Sequence, residues 1–177
     1  STRYLVNELF GDYGLIIIDA NDGRFKNEFK EIMKDDISNQ TSYKLVGETI
    51  SQLEKQGYKV QVNPREINLF YLSDNDRVRI EGEMLKQVQH DFEESVKHLS
   101  PNVVTRPLFQ QKILPNLAYI GGPAEIDYWL EYKEMFDHYG IFFPVLVPRN
   151  FVMMMDAPIS ERITKLGLDP EDVFLAV

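Results

Sequence analysis

Two glycines, a glutamate and two arginines are the residues of this chain whose types and spacing suit them to chemistry. Leu117-Ala118-Tyr119-Ile120 reads as an apolar strand that runs into Gly121-Gly122-Pro123, and a helix follows from Ala124. Glycines at a strand-to-helix turn let the backbone approach a ligand, and the free N–H groups of a first helical turn favour phosphate or carboxylate. The stretch is neither G-x-G-x-x-G nor a Walker A loop, because no Lys-Ser/Thr follows it. A tight turn that simply requires glycine fits the same residues. Arg106, in Asn102-Val103-Val104-Thr105-Arg106-Pro107, and Arg149, in Pro148-Arg149-Asn150, stand where loops at strand ends would present them. A guanidinium can hold a carboxylate or phosphate through two parallel hydrogen bonds. The other reading of each is a surface arginine paired with one of the chain's many acids. Arg65, between Pro64 and Glu66, is a further instance of the same kind.

Other residues favour bland readings. Asp19 ends an apolar run where an α/β fold sets a ribose- or metal-binding acid, but Asp19-Ala20-Asn21-Asp22-Gly23 is turn chemistry, and turn-former is the preferred reading. His90, Glu94 and His98 are four apart and could share a helix face. A solvated face laced with ion pairs explains them better. His138, just before Gly140, suits a helix C-terminus. Met153-Met154-Met155 is read as a buried strand rather than a soft surface. Trp129, Tyr128 and Tyr132 form an aromatic stripe, mostly core, with Tyr128 one helical turn from the glycines.

The whole chain bounds what these residues can do. It has 177 residues, 44% apolar, with 19 basic and 28 acidic side chains and no cysteine. That length buries a sizeable core without staples. The lack of cysteine excludes disulfides and Cys-based zinc sites. The formal charge of −9 argues against general nucleic-acid binding. No apolar run approaches the roughly 18 residues of a membrane span. The first residues carry no charged region, apolar stretch and cleavage site of a signal peptide. The start at Ser1 without Met and the apolar Val-Phe-Leu-Ala-Val end suit a piece of a longer protein.

The elements that must position these residues follow from periodicity. Helices are expected over 2–10, 24–39, 41–56, 83–99, 103–114, 124–139 and 160–166, with another from Asp169. The unbroken apolar run Leu15-Ile16-Ile17-Ile18 before Asp19 predicts a strand buried on both faces. Further strands are expected at 59–62, 117–120, 144–147 and 151–155. A hairpin is predicted from 68–72 and 77–81 around Ser73-Asp74-Asn75-Asp76. Strands alternate with helices, so the class is α/β: one domain over 1–177, a mostly parallel sheet with flanking helices and an inserted β-hairpin.

Longer stretches are specific as words. They are Phe10-Gly11-Asp12-Tyr13-Gly14-Leu15-Ile16-Ile17-Ile18-Asp19-Ala20, and Pro64-Arg65-Glu66-Ile67-Asn68-Leu69-Phe70-Tyr71-Leu72. The longest runs from Leu99-Ser100-Pro101-Asn102-Val103 and Arg106-Pro107 through Ile113 to Ile126, then Tyr128-Trp129-Leu130 and Pro144-Val145-Leu146 to Pro148-Arg149-Asn150. From about Phe10 to Asp156 the chain resembles a central piece of the cysteine-adding enzymes of bacillithiol biosynthesis, the BshC family. The resemblance implies a Rossmann-like core, a coiled coil elsewhere in the longer family members, a cytoplasmic location and a homodimer of the full-length enzyme. It implies addition of cysteine to glucosaminyl-malate, with ATP or ADP as the candidate nucleotide and no assigned metal. It raises Asn102, Arg106, Asn116, Gly121, Gly122, Glu125, Tyr128, Arg149 and Asn150 to candidate site residues. An amide condensation needs an activated acyl group, phosphorylated or adenylated. In that mechanism the Gly121-Gly122 turn holds phosphate or carboxylate, Arg106 and Arg149 neutralise the malate charge, and Glu125 orients the incoming amine or a metal. Asn102, Asn116, Tyr128 and Asn150 line the substrate or nucleotide. The alternative is a non-catalytic α/β binding or interaction domain whose glycine turn serves only the fold. A nucleotidyl- or glycosyl-transferase shares the fold but would need a nucleotide-sugar or metal site, to which no residues point.

Overall fold

Phe25, Phe29, Ile32, Met33 and Ile37 recur at helical spacing, and the chain there is helical in two pieces, α2 (Gly23–Glu28) and α3 (Lys30–Asn39). The break falls at Phe29, whose non-helical backbone lets its ring turn fully into the core. The structure, a computed structural model, describes residues 1–73, 76–169 and 171–172. Before this pair stands α1 (Thr2–Phe10), capped by the Ser1 hydroxyl. After it comes α4 (Thr41–Lys55), with Val46 buried and Gly57 beyond its end at φ 85°.

The predicted hairpin forms from β1 (Leu69–Leu72) and β2 (Arg77–Arg79), paired antiparallel with Tyr71 opposite Val78. The expected helix 83–99 does not run through. It divides into α5 (Gly82–His90), α6 (Phe92–Ser95) and a 3-10 turn at Val96–His98, and the chain then extends as β3 (Leu99–Pro101). β3 pairs antiparallel with β1 on the side away from β2. The physical reason is Leu99: extended backbone there buries its side chain completely and closes the hairpin's open edge.

From 106 to 148 strands and helices alternate as expected, except that the helix expected over 124–139 breaks at Glu131 and Tyr132 into two. α7 (Arg106–Ile113) leads to β4 (Ala118–Gly121), then α8 (Pro123–Leu130), α9 (Lys133–His138), β5 (Val145–Pro148) and α10 (Ala157–Lys165). β4 and β5 are parallel, with Tyr119 opposite Leu146 and Gly121 opposite Pro148. The molecule is therefore α/β, with parallel pairing at β4–β5 and antiparallel pairing around the hairpin.

The buried apolar residues make one cluster. Under β4 and β5 it is aromatic: Tyr119 stacks on Trp129 at 4.3 Å between centroids, and Phe136 and Phe143 meet edge to face. Under the hairpin it is aliphatic, with Leu69, Ile80, Val88 and Leu99.

Three strand expectations fail. Leu15 to Asp19 is not a strand, and Leu15 and Ile16 are exposed. Hydrophobicity and β-branching do not make a strand without a neighbour to take the backbone hydrogen bonds, and among the described residues this segment has none. Residues 59–62 are likewise outside any strand; the Gln61 N–H is held by the Glu131 carboxylate at 2.7 Å instead of by a ladder. The methionine run is not a buried strand: Met153 and Met154 are exposed, Met154 almost wholly, and Met155 is half-buried. The helix expected from Asp169 lies largely outside the described residues.

Candidate functional site

β4 hands its chain to α8 through Gly121 and Gly122, and this turn is tightly built. Gly121 lies on the same face of the strand as Tyr119, by the two-residue repeat of a strand. A Cβ on Gly121 would sit 2.8 Å from Tyr119 Cε1 and 3.2 Å from Ile126 Cδ1, so only glycine fits without movement. At Gly122 a Cβ would lie 3.0 Å from the Arg149 Nε. The arginine side chain is therefore laid across the turn. Its backbone is fixed too, because the Arg149 N–H donates to the Gly121 carbonyl at 2.8 Å, continuing the β4–β5 ladder by one residue.

Glu125 completes the turn. Its carboxylate accepts the Gly122 N–H at 2.8 Å and the Tyr119 hydroxyl at 3.3 Å. This is the glutamate half of a capping box, which fastens the start of α8. The Gly122 hydrogen bond holds the Glu125 carboxyl below its ordinary range, and the Tyr119 hydroxyl and the charges of Arg149 and Arg106 add to it. Pro123 has no N–H, so the first-turn donors left for a ligand are those of Ala124 and Glu125. The Tyr119 phenol is pushed up, mainly by burial.

Gly121, Gly122, Glu125 and Arg149 thus meet at one point. Arg106 reaches the same point with its charge, but its side chain lines a different cleft together with Asn102, Arg65, Arg77 and Arg79. Asn102 sets the start of α7: its Oδ1 accepts the N–H groups of Val104 at 2.8 Å and Thr105 at 3.3 Å, and its own carbonyl accepts the Arg106 N–H at 2.9 Å. The structure separates the other candidates from the turn. Asn116 stands before the opposite end of β4, where it exchanges hydrogen bonds with the Gln111 side chain and donates to the Leu114 carbonyl. Tyr128 is half-buried against Tyr132, and the phenol that reaches Glu125 is that of Tyr119. Asn150 follows Arg149 in an exposed loop.

The spacing of the histidines does not survive folding. α5 stops at His90, which bonds Asp91; Glu94 pairs with Lys97; His98 stacks on Tyr71 at 5.2 Å. Asp19 is the expected turn-former: it accepts the Asn21 N–H at 3.0 Å and pairs with Arg3 at 2.7 Å. No group of three or more His, Asp or Glu side chains suited to a metal comes together among the described residues. Among the same residues no helix is long and apolar enough to cross a membrane.

Residue-by-residue reading missed the buried polar centre behind the cleft. Asp36, fully buried, accepts the Asn68 N–H at 2.8 Å and the Ser42 N–H at 3.2 Å. Asn68, also fully buried, accepts from Arg65 N and Asn102 Nδ2, each at 3.1 Å, and donates to the Arg65 carbonyl at 2.7 Å. Its own carbonyl accepts the Thr105 hydroxyl at 2.7 Å. Burial drives the Asp36 carboxyl upward against the pull of these donors. An aspartate at the inward end of the α3 stripe Ile32, Met33, Ile37 was the signal available in the sequence.

Residues 1–150 match the family described as Bacillithiol biosynthesis BshC, N-terminal Rossmann-like domain. The chain belongs to that family. Relatives carrying the name "Putative cysteine ligase BshC" occur in Flavobacterium johnsoniae, 46% identical over 98% of the chain, and Flavobacterium psychrophilum, 43% identical over 99%. A third, from Christiangramia forsetii, is 39% identical over 99% of the chain. In each case the matched region is 35% of the relative's own length, so the chain spans about a third of these proteins. The Rossmann-like class of the family agrees with the α/β order of elements, and the match extends past both ends of the stretch that carried the resemblance, to Ser1 and beyond Asp156.

Proposed function

We propose that this chain forms part of the substrate site of a cytoplasmic ligase that joins cysteine to glucosaminyl-malate, completing bacillithiol. The observation that carries this reading is the match, over nearly the whole chain, to relatives named "Putative cysteine ligase BshC". The partners are small molecules, and the full-length enzyme acts as a homodimer.

Joining an amine to a carboxyl requires loss of an oxygen, and ATP would supply the activation, the oxygen leaving on phosphate or AMP and the amine giving up a proton. The chain's own contribution is to hold charge and geometry. The N–H groups of Ala124 and Glu125 point out of the positive end of α8 and suit an anionic oxygen. Arg149, laid over Gly122, and Arg106, in the lining of the arginine cleft, neutralise carboxylate charge. Glu125 is ionised at neutral pH and already fastened to Gly122 and Tyr119, so it can accept a hydrogen bond from an ammonium or amine without reorganising. Asn102 sets the backbone from which Arg106 projects.

The test is bacillithiol formation from glucosaminyl-malate and cysteine by a full-length family member carrying this sequence, with and without ATP. Product that requires ATP is expected. No product under either condition overturns the reading and leaves a binding domain.

A further inference from the structure

Four of the eight arginines in this acidic chain line a single cleft of about 370 Å³: Arg65, Arg77, Arg79 and Arg106, with Asn63 and Asn102 between them. They come from three places in the sequence: the loop before β1, the strand β2 and the first residue of α7. Among the described residues none of the four makes an ion pair with a carboxylate within 4.0 Å. That is unexpected on a surface where acids outnumber bases 28 to 19. Glu66 and Glu81 line the adjoining hollow beside Arg65 and Arg79, and Asp19 lines the one beside Arg77 and Arg106. Asp19 is already engaged by Arg3.

The cleft is also pre-built. The Arg77 Nη2 donates to the Pro101 carbonyl at 2.8 Å, and its guanidinium lies 4.2 Å above the Phe70 ring. Such a guanidinium loses little freedom when an anion arrives. Arg65 is held at both its backbone N–H and its carbonyl by the buried Asn68 side chain. Asn68 in turn fixes Asn102, and Asn102 carries Arg106. Four like charges converging on one space repel each other, and leaving them without counter-charge costs stability. A bound anion removes that cost. All four cations are arginines rather than lysines, the type that holds planar oxyanions with two parallel hydrogen bonds.

We propose that this cleft is a binding site for a compact organic or inorganic anion carrying two or more negative charges, a dicarboxylate or a diphosphate. It deepens the ligase reading, on which it rests for the part Arg106 plays against substrate charge, by naming the class of anion that the whole cleft takes.

The experiment is calorimetric titration of a full-length family member carrying this sequence, at low ionic strength, with L-malate in one arm and inorganic pyrophosphate in the other. Saturable binding of at least one is expected, and the arm that responds tells carboxylate from phosphate. Arg79→Gln and Arg77→Gln should each weaken it by about tenfold or more. Arg162→Gln, which removes one positive charge on α10 that is not part of the cleft lining, should leave it within a factor of about two of the parent. Should loss of the Arg77 contacts unfold the protein, Arg79→Gln decides alone, since Arg79 lies exposed on β2. Arg79→Lys, which keeps the charge and loses the fork, should recover part of the affinity. Failure of both anions to bind overturns the proposal, as does equal weakening by Arg79→Gln and Arg162→Gln. Anion binding in a protein that forms no bacillithiol keeps the cleft and removes the reaction; turnover in a protein whose Arg79→Gln variant binds normally does the reverse.

Discussion

Arg77 and Arg149 are both exposed guanidiniums on or beside a strand, yet they are held in different ways. Arg77 is tied to the Pro101 carbonyl and stacked on Phe70, and the cleft behind it rests on two fully buried polar side chains, Asp36 and Asn68. Arg149 is positioned by its backbone bond to Gly121 and by lying over a residue with no side chain. The innermost supports of the cleft are desolvated, where each hydrogen bond is strong and each loss is expensive. The glycine turn is fixed by steric exclusion and by a carboxylate cap nearer the surface. The two regions therefore fail differently on mutation: the cleft by loss of a desolvated support, the turn by a clash at a close packing contact.

Arg106 is the residue that breaks this comparison, because it lines the cleft and its charge also reaches Glu125. Arg106→Ala in a full-length enzyme should lower kcat/KM by about 10²-fold or more, measured by steady-state bacillithiol formation. Arg149→Ala, acting on the turn alone, should do less. Near-normal turnover of Arg106→Ala ends its role in the reaction, and unchanged anion affinity of the same variant ends its role in the cleft.

Asp36 sharpens the comparison through stability. Asp36→Ala leaves the buried N–H groups of Asn68 and Ser42 without acceptors, at a cost of about 2–4 kcal/mol in urea unfolding. The pH dependence has a definite sign. The folded carboxyl titrates above its unfolded value. The stability it contributes is present in full below the ordinary carboxylate pKa and is lost as pH rises through the raised one. Asp36→Asn should flatten that part of the curve. An unchanged slope in Asp36→Asn shows that another group is responsible.

The two regions were not equally legible in the sequence. The turn could be read because its signals are local: an apolar strand, two glycines, a proline and a glutamate three residues after the cap. Its one surprise, Tyr119 rather than Tyr128 at Glu125, follows from strand alternation, which puts Tyr119 beside Gly121. The cleft was almost invisible, because Arg65, Arg77, Arg79 and Arg106 are brought together by pairings between β1, β2 and β3, and β3 was hidden inside a helical pattern. The run Leu15 to Ile18 shows the opposite error, a strong local β signal with no partner strand to realise it. Neighbouring chain, not propensity, decided both cases.

Adjacent glycines separate fold from site within the turn. Gly121→Ala drives a Cβ into Tyr119 and Ile126, inside the packed face, and should cost about 1–3 kcal/mol. Gly122→Ala meets only the end of the exposed Arg149 side chain and should change stability by less than about 0.5 kcal/mol. Its effect should fall on kcat/KM, by displacing the guanidinium. A Gly122→Ala enzyme that is both stable and fully active would show that Arg149 has no need to lie across the turn.

The smallest expected effect is that of Glu125→Gln. The amide oxygen still accepts the Gly122 N–H, so the cap survives in weakened form and stability should fall by only about 0.5 kcal/mol. The sign with pH is opposite to that of Asp36. The Glu125 carboxyl is held below its ordinary range, chiefly by the Gly122 hydrogen bond. Its contribution is present above the ordinary glutamate pKa and disappears as pH falls through the depressed one. Parent and Glu125→Gln should therefore differ slightly at neutral pH and converge in acid. Convergence in stability combined with a large loss of kcat/KM at neutral pH would assign Glu125 to the substrate as well as to the cap. Equal and small losses in both would leave it as a cap alone, and ligand contacts at the turn would then rest on the backbone and Arg149.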